Sequence, residues 1–178
     1  MHLPHRLISG CQTRALRSGR RQTGPYQTNR QSRWRLSPDD PQFASEEDAK
    51  LVLVKLYCQL FTFTGAPEAP QQIKLAASKH FGMDVTPNKY RDPLTRERLS
   101  FHEFIEELEF PTHGHSQFHI GHLDPTLTPR HFATNIDWRS MRSNLIQGNL
   151  TIPQARTKFV ELIARYFDLG EVAITPEE

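Results

Sequence analysis

The stretch Phe118–Asn149 (FHIGHLDPTLTPRHFATNIDWRSMRSNLIQGN) constrains this chain more than any other part of its sequence. An apolar run ends at His122, a proline-broken loop follows, and Asn135 and Asn144 come 13 and then 9 residues further on. The surrounding patterns are G-H-x-x-P, N-I-x-W and S-N-x-x-x-G-N. The first two patterns indicate a strand that ends in a histidine and a second strand that begins with an asparagine.

This order and spacing resemble the HNH, or ββα-metal, endonuclease motif, and the resemblance covers about a fifth of the chain. It implies an α+β fold with a small nuclease unit over residues 116–149. It also implies three site residues: His122 as the general base, Asn135 as the structural residue that holds the loop, and Asn144 as the metal ligand.

One histidine and one divalent ion can supply the chemistry of phosphodiester hydrolysis. A side-chain pKa of about 6.5 leaves most of the His122 imidazole neutral at cellular pH, so it can take a proton from water. A bound ion can relieve charge on the phosphate and stabilise the leaving oxygen. Mg²⁺ prefers oxygen ligands and keeps several waters, so the amide oxygen of Asn144 needs few further ligands, and Mn²⁺ is the expected substitute.

The residue before the proposed base departs from many HNH proteins, which have Asp, Glu or His there as a second ligand. Gly121 occupies that position, and the resemblance shifts toward ββα nucleases with a D-R-G-H motif. His119 stands where that Asp would be, and Asp124 is another candidate ligand. In a regular strand His119 points away from the side of His122, so metal binding by His119 requires an irregular strand end.

Three arginines around the motif, Arg130, Arg139 and Arg142, are candidate contacts to DNA phosphates, because such contacts position a protein without reading sequence. Each can equally be a solvated charge. Trp138 and Met141 are expected to pack inside the protein and not to touch DNA.

The net charge of +2 conceals a strong asymmetry between the N-terminus and the rest. Residues 1–36 contain eight Arg and no acidic residue, so the remaining 14 basic and 20 acidic residues give a balance of −6. Low apolar content predicts that residues 1–41 form a disordered basic tail. Three roles stay open for it: a solvated tail or translated leader, a phosphate-binding arm, and a mitochondrial transit peptide. A secretory signal is excluded, because no apolar segment follows the early arginines.

Residues 42–178 are expected to form a single HNH endonuclease domain, with a helical part over 42–110 and a C-terminal helix over 151–169. Capping patterns place helix starts at Ser45, Ser100 and Thr151. A helix from about Pro70 to Phe81 should end at Gly82, and a hairpin or turn with the sequence RDPLTRER is expected before Leu99. Arg96 replaces the glycine usual in that turn, which leaves its left-handed geometry open.

The apolar stripe of the C-terminal helix is expected to be core that covers the ββα unit. It consists of Ala155, Phe159, Leu162, Ile163, Tyr166 and Phe167. The chain has two cysteines, Cys11 and Cys58, which are too few for a four-cysteine zinc site, so no structural zinc is expected. No apolar run is long enough to span a bilayer, which excludes a membrane span, and a cytoplasmic location is expected.

The sequence therefore predicts an α+β protein with a helical N-terminal half, a ββα-metal unit and a closing C-terminal helix. The predicted function is Mg²⁺-dependent hydrolysis of double-stranded DNA by a restriction or phage-defence endonuclease. A homodimer is one option, and the sequence leaves the oligomeric state open. The alternative is a non-catalytic DNA-binding protein that keeps the HNH fold with a decayed site, and Gly121 is its best support.

Overall fold

The computed structural model describes residues 3–20, 22–111 and 116–172, which form an α+β fold with six α-helices. The helices are α1 Leu3–Leu16, α2 Glu46–Leu60, α3 Gln71–Phe81, α4 Phe101–Glu109, α5 Met141–Gln147 and α6 Ile152–Asp168. The strands are β1 Gln22–Thr23, β2 Tyr26–Gln27, β3 Phe118–His122 and β4 Ile136–Ser140, and they pair as two antiparallel ribbons, β1–β2 and β3–β4. Every helix in these ranges is too short or too polar to cross a membrane.

The predicted helix starts are confirmed by side-chain caps. The Ser45, Ser100 and Thr151 side chains accept hydrogen bonds from the backbone N–H groups that open α2, α4 and α6. Gly82 ends α3 with φ +59°, a left-handed conformation that glycine adopts without steric cost. Local capping chemistry therefore fixes where these elements begin and end.

The main core is aromatic and joins the helical half to β3 and β4. The rings of Phe104 and Phe118 lie 5.2 Å apart between centroids, and those of Phe104 and Trp138 lie 5.1 Å apart. The Trp138 indole is fully buried and donates from Nε1 to the Leu56 carbonyl at 2.9 Å. The expected packing role of Trp138 is confirmed, and the hairpin is held against α2.

The prediction of a disordered N-terminal tail is wrong for residues 3–16, which form α1. Leu7, Cys11 and Ala15 are buried in the main core, one helical turn apart from each other. The buried stripe is only one residue wide, so it adds few apolar residues to the composition of the N-terminal segment. The helix nevertheless packs against α2. The core therefore includes residues before the domain boundary expected at residue 42.

The prediction that the stripe of α6 is core is confirmed for Ala155 and is wrong for the later turns of the helix. Ile152 and Ala155 in the first turn are buried, whereas Leu162 and Ile163 are 46% and 53% exposed. The helix starts as expected, with a complete capping box between Thr151 and Gln154, but its later turns extend away from the core. In the described structure α6 thus does not cover the β3–β4 hairpin along its length.

Candidate active site

Strands β3 and β4 form a regular antiparallel hairpin that leads directly into α5. Five residue pairs align, from Phe118 opposite Ser140 to His122 opposite Ile136. The Ser140 side chain then accepts from the Ser143 N–H and caps α5, with no connecting loop. Strand, strand and helix therefore follow one another in the order that the sequence predicts.

The two faces of this hairpin carry different groups. Side chains alternate along a strand, so Phe118, Ile120 and His122 share one face and His119 and Gly121 share the other. Phe118 and Ile120 pack into the main core, whereas Gly121 faces Asn144 on α5. Because β3 is regular to its end, the irregular strand end that was required to bring His119 and His122 together is absent from the described hairpin.

His119 and Asn144 meet on the α5 side of the hairpin. The Asn144 amide nitrogen lies 3.4 Å from Nδ1 of His119. This pairing leaves the Asn144 oxygen beside Gly121. Burial, followed by the charge of Arg14, lowers the pKa of the His119 imidazole, so the ring is neutral at pH 7. The pair therefore offers an amide oxygen and a neutral imidazole on one face.

Gly121 is required by the close approach of two side chains. A Cβ atom at this position would lie 2.7 Å from Oδ1 of Asn144 and 2.8 Å from Cγ of Arg139. Contacts under about 3 Å force a shift, and the Arg139 side chain is fully buried and cannot easily move. An acidic side chain before His122 would thus displace Asn144, which gives the departure at Gly121 a physical reason.

Asn135 bonds to the backbone across the long loop between the strands. Its Oδ1 accepts from the Asp124 N–H, and its Nδ2 donates to the carbonyls of Asp124 and Arg130, all at 2.8 Å. The carbonyl of Asn135 accepts from the Leu123 N–H at 2.9 Å. The side chain is buried, so these bonds satisfy it and pin the loop to the end of β3.

His122 lies at the end of β3 against a second histidine. Its ring stands 6.1 Å from that of His131, and its buried Nε2 has no hydrogen-bond partner among the described residues. Burial, followed by the charges of Arg130 and Arg33, lowers the pKa of His122 to about 4. The imidazole is therefore neutral at pH 7, as a base must be, and no contact in the described structure joins it to Asn144.

The prediction that Arg139 binds DNA is wrong, because this residue is fully buried in an ion pair with Asp92. The Asp92 carboxylate accepts from Nε of Arg139 at 3.3 Å, from the Ser143 hydroxyl at 2.6 Å and from the Ser140 N–H at 3.0 Å. The guanidinium of Arg139 also donates to Gln147. These bonds fasten β4 to α5 and so fix the backbone that carries Asn144.

Asp92 also builds the turn that was expected before the motif. Its carboxylate accepts from the Leu94 and Thr95 N–H groups, and its backbone N–H donates to the Glu97 carbonyl at 2.8 Å. Arg96 adopts φ +64°, so the left-handed turn forms without glycine. The turn was predicted, but the anchoring role of Asp92 was not. The aspartate in the RDPLTRER segment was the available signal.

The remaining predicted residues lie outside the contact between His119 and Asn144. The Asp124 carboxylate accepts from the N–H and hydroxyl of Thr126, which lowers its pKa. Asp124 lines a separate cavity of about 710 Å³ together with three arginines. Arg130 donates to the Pro41 and Pro125 carbonyls, and Arg142 is exposed on the first turn of α5.

The residues around Asn144 offer an amide oxygen and an imidazole as candidate ligands for a divalent ion. Within the described ranges, no group of three or more His, Cys, Asp or Glu side chains could hold a metal. The Asn144 oxygen packs over Gly121 together with the Arg139 side chain, and His119 faces the nitrogen of the same amide. An amide oxygen suits Mg²⁺, while an imidazole nitrogen beside it favours a transition ion such as Mn²⁺.

Comparisons with known proteins support the fold. No family model matches this chain, and no curated protein matches it. Among solved structures, the chain is similar to a crystal structure of a type II restriction endonuclease, with a TM-score of 0.58 and 19% sequence identity. The similarity covers 71% of this chain and 55% of that one, so this chain spans just over half the length of that endonuclease. The α+β fold is therefore one that a restriction endonuclease also uses.

Proposed function

We propose that this chain is a metal-dependent endonuclease of the HNH type that hydrolyses phosphodiester bonds of double-stranded DNA, leaving 5′-phosphate and 3′-hydroxyl ends. The observation that carries the proposal is the β3–β4–α5 unit, in which Asn135 pins the loop and Asn144 lies over Gly121 beside His119. A restriction or phage-defence role is the finer proposal, and the fold similarity to a restriction endonuclease supports it.

In this proposal Asn144 holds the ion through its amide oxygen. His119 orients the amide, because its Nδ1 faces the Asn144 nitrogen and so turns the oxygen toward Gly121. The prediction of His119 as second ligand is not kept, because β3 is regular to its end and Nδ1 of His119 faces the Asn144 amide nitrogen. The carboxylate of Asp124, the other candidate, is engaged by Thr126. The ion would stabilise negative charge on the phosphate and on the leaving oxygen.

His122 is the proposed base. Its low pKa keeps the imidazole neutral at pH 7. Its buried Nε2 has no hydrogen-bond partner among the described residues, which is energetically unfavourable, so a bound water or substrate group would be stabilised there. Catalytic hydrogen bonds are often incomplete in a protein without substrate. We expect substrate binding to open the contact with His131 and give His122 access to water.

Arg130 and Arg142 remain proposed phosphate contacts on either side of this unit. Arg130 forms no ion pair among the described residues, and Arg142 is exposed at the start of α5, so both charges are available to an anion. Phosphate contacts from such residues would position the duplex without selecting a sequence.

The rival function is DNA binding without catalysis by a protein that keeps the same fold. The buried Nε2 of His122 favours it, because a base without access to water cannot act. The rival predicts normal binding of duplex DNA and no cleavage with either Mg²⁺ or Mn²⁺.

Nicking of a supercoiled plasmid, with and without Mg²⁺ or Mn²⁺, tests the proposal. Wild type should cleave only with metal, and His122→Ala should lose about 10²-fold or more in rate while DNA binding is kept. His102→Ala, an exposed histidine on α4, is the matched control and should retain full activity. A His122→Ala protein with more than a few per cent of the wild-type rate would remove His122 from the role of base.

A further inference from the structure

A large groove separates α1 from the outer edge of β3. Its volume is about 1140 Å³, and its walls come from α1, from residues 17–33, from the end of α4 and from Phe118, His119 and Ile120. Five arginines line it: Arg6, Arg14, Arg17, Arg30 and Arg33. His119 also lines the groove, and its Nδ1 lies 3.4 Å from the amide nitrogen of Asn144.

Two of these arginines are neutralised by α4. Arg6 forms an ion pair with Glu109, and Arg14 pairs with Glu107 at 3.1 Å while its Nε donates to the Phe118 carbonyl at 2.9 Å. These contacts hold α1 against α4 and the unpaired edge of β3. They fix the walls of the groove, and their charges are already balanced.

The other three arginines have no carboxylate partner within the described ranges. Arg17 and Arg30 are exposed, and among the described residues the Arg17 side chain has one hydrogen bond, to the Ser32 hydroxyl at 3.3 Å. Two exposed positive charges on one wall are therefore available to an anion.

Arg33 differs from the other two because its charged side chain is buried, with 8% exposure. Among the described residues its guanidinium donates to backbone carbonyls alone, at 3.2 Å to Ala15, 3.0 Å to Gln42 and 3.4 Å to Arg14. Burial, followed by repulsion from Arg130 and Arg30, lowers its pKa to about 10. Attraction to Asp40 raises the pKa, but this is the smallest of the contributions. A cation that is buried without a close counter-charge is costly unless an anion completes the site.

We infer that the groove between α1 and β3 binds the sugar–phosphate backbone of the nucleic-acid substrate and leads it to the face of β3 that carries His119. This inference rests on the proposed function and names the surface that the function requires. The groove is larger than most small-molecule sites, and its unpaired charges come from separate points along the wall, which suits a row of phosphates. The segment that carries these arginines is attached to the end of α1, because Arg17 pairs with Ser32 in a β-bridge and Arg33 donates to the Ala15 carbonyl.

Substitution at the rim tests the inference, since removal of the whole segment would also remove core residues. In the full-length protein, the double variant Arg17→Ala/Arg30→Ala changes two exposed side chains only. The matched control is Lys79→Ala/Arg98→Ala, which removes the same charge from exposed positions outside the groove. The probe is a DNA duplex of random sequence, and the affinity is measured against salt concentration without divalent metal.

Wild type should lose affinity steeply as salt rises, and the groove variant should lower the slope of log K against log salt by about 1.8, or about 0.9 for each phosphate contact. The control pair should keep the wild-type slope. Equal slopes for the two double variants would overturn the groove assignment while leaving the endonuclease proposal intact if wild type still cleaves. A wild type that neither binds nor cleaves DNA would overturn the proposed function itself.

Discussion

Helices α1 and α6 lie at opposite ends of the chain, and each behaves differently from what its sequence suggests. α1 comes from an arginine-rich segment with few apolar residues, yet Leu7, Cys11 and Ala15 are in the core. α6 carries a broad apolar stripe, yet Leu162 and Ile163 are half-exposed. The contrast shows that an apolar pattern identifies the face of a helix that can be buried, and that the rest of the chain decides whether it is.

The reason for the difference lies in the surfaces that surround the two helices. α1 packs against α2, and two of its arginines find acidic partners on α4. The first turns of α6 pack through Ile152, Ala155 and Phe159 against Leu94 and Leu123, and its later turns are exposed. Charge complementarity thus lets a basic helix pack, whereas α6 has no such surface beyond its first turns in the described structure.

The largest effect should come from the core side chain of α1. Leu7 is 2% exposed, so Leu7→Ala should lower the free energy of unfolding by about 2–5 kcal/mol, because it removes buried apolar contacts and leaves a cavity. Ile8→Ala on the same helix is the matched control, since Ile8 is 38% exposed and should change little. Denaturant unfolding measures both variants. Equal small losses would mean that α1 does not pack as described.

The second largest effect should be a loss of unfolding free energy at low pH, through the contact of His131 with the end of α1. Nε2 of His131 donates to the Ala15 carbonyl at the end of α1 at 2.8 Å. Burial, then the charge of Arg33, lowers the pKa of His131 to about 3, with smaller contributions from His122 and Arg130. The unfolded chain binds a proton near pH 6.5 and the folded protein does not, so this stability is complete above pH 6.5 and is lost as pH falls toward 3.

The expected loss from His131 is about 1.4 kcal/mol for each pH unit within that window. Unfolding free energies between pH 7 and 4 measure it, and His131→Gln removes the titrating group as the comparison. A variant with the same pH dependence as wild type would show that another group is responsible.

The smallest effect should come from α6. Replacing Leu162 and Ile163 together by serine should change the unfolding free energy by about 0.5 kcal/mol or less, because both side chains already contact water. Ile152→Ala in the buried first turn of the same helix is the contrasting control. A loss of several kcal/mol from the serine pair, measured at a fixed protein concentration, would mean that the stripe is covered in solution.

Much of this architecture could be predicted from local sequence, because capping and turn chemistry act over a few residues. Ser45, Gly82 and Thr151 mark element ends that the structure confirms. The order of β3, β4 and α5 is the one that the resemblance to the HNH motif implied. The backbone-bonding role of Asn135 was predicted correctly.

Long-range partners could not be predicted from one sequence. Arg139 looked like a phosphate contact because nothing near it in the chain reveals Asp92, which lies 47 residues earlier. The need for glycine at position 121 likewise depends on the close approach of Asn144 from α5, which the sequence does not reveal. Residues whose role depends on a distant contact need the folded structure, even where their own element is predicted correctly.

The position of Asn144 is the centre of the proposed endonuclease, and its dependence on metal is the most direct test. The measurement is plasmid cleavage rate against Mg²⁺ and Mn²⁺ concentration for wild type, Asn144→Ala and Asn144→Asp. Asn144→Ala should lose most activity at ordinary Mg²⁺ and regain part of it at high Mg²⁺ or with Mn²⁺, while Asn144→Asp should shift the curve to lower metal concentration, because it adds charge at the same place. An Asn144→Ala protein with the wild-type metal curve would contradict the account and move the ion away from α5.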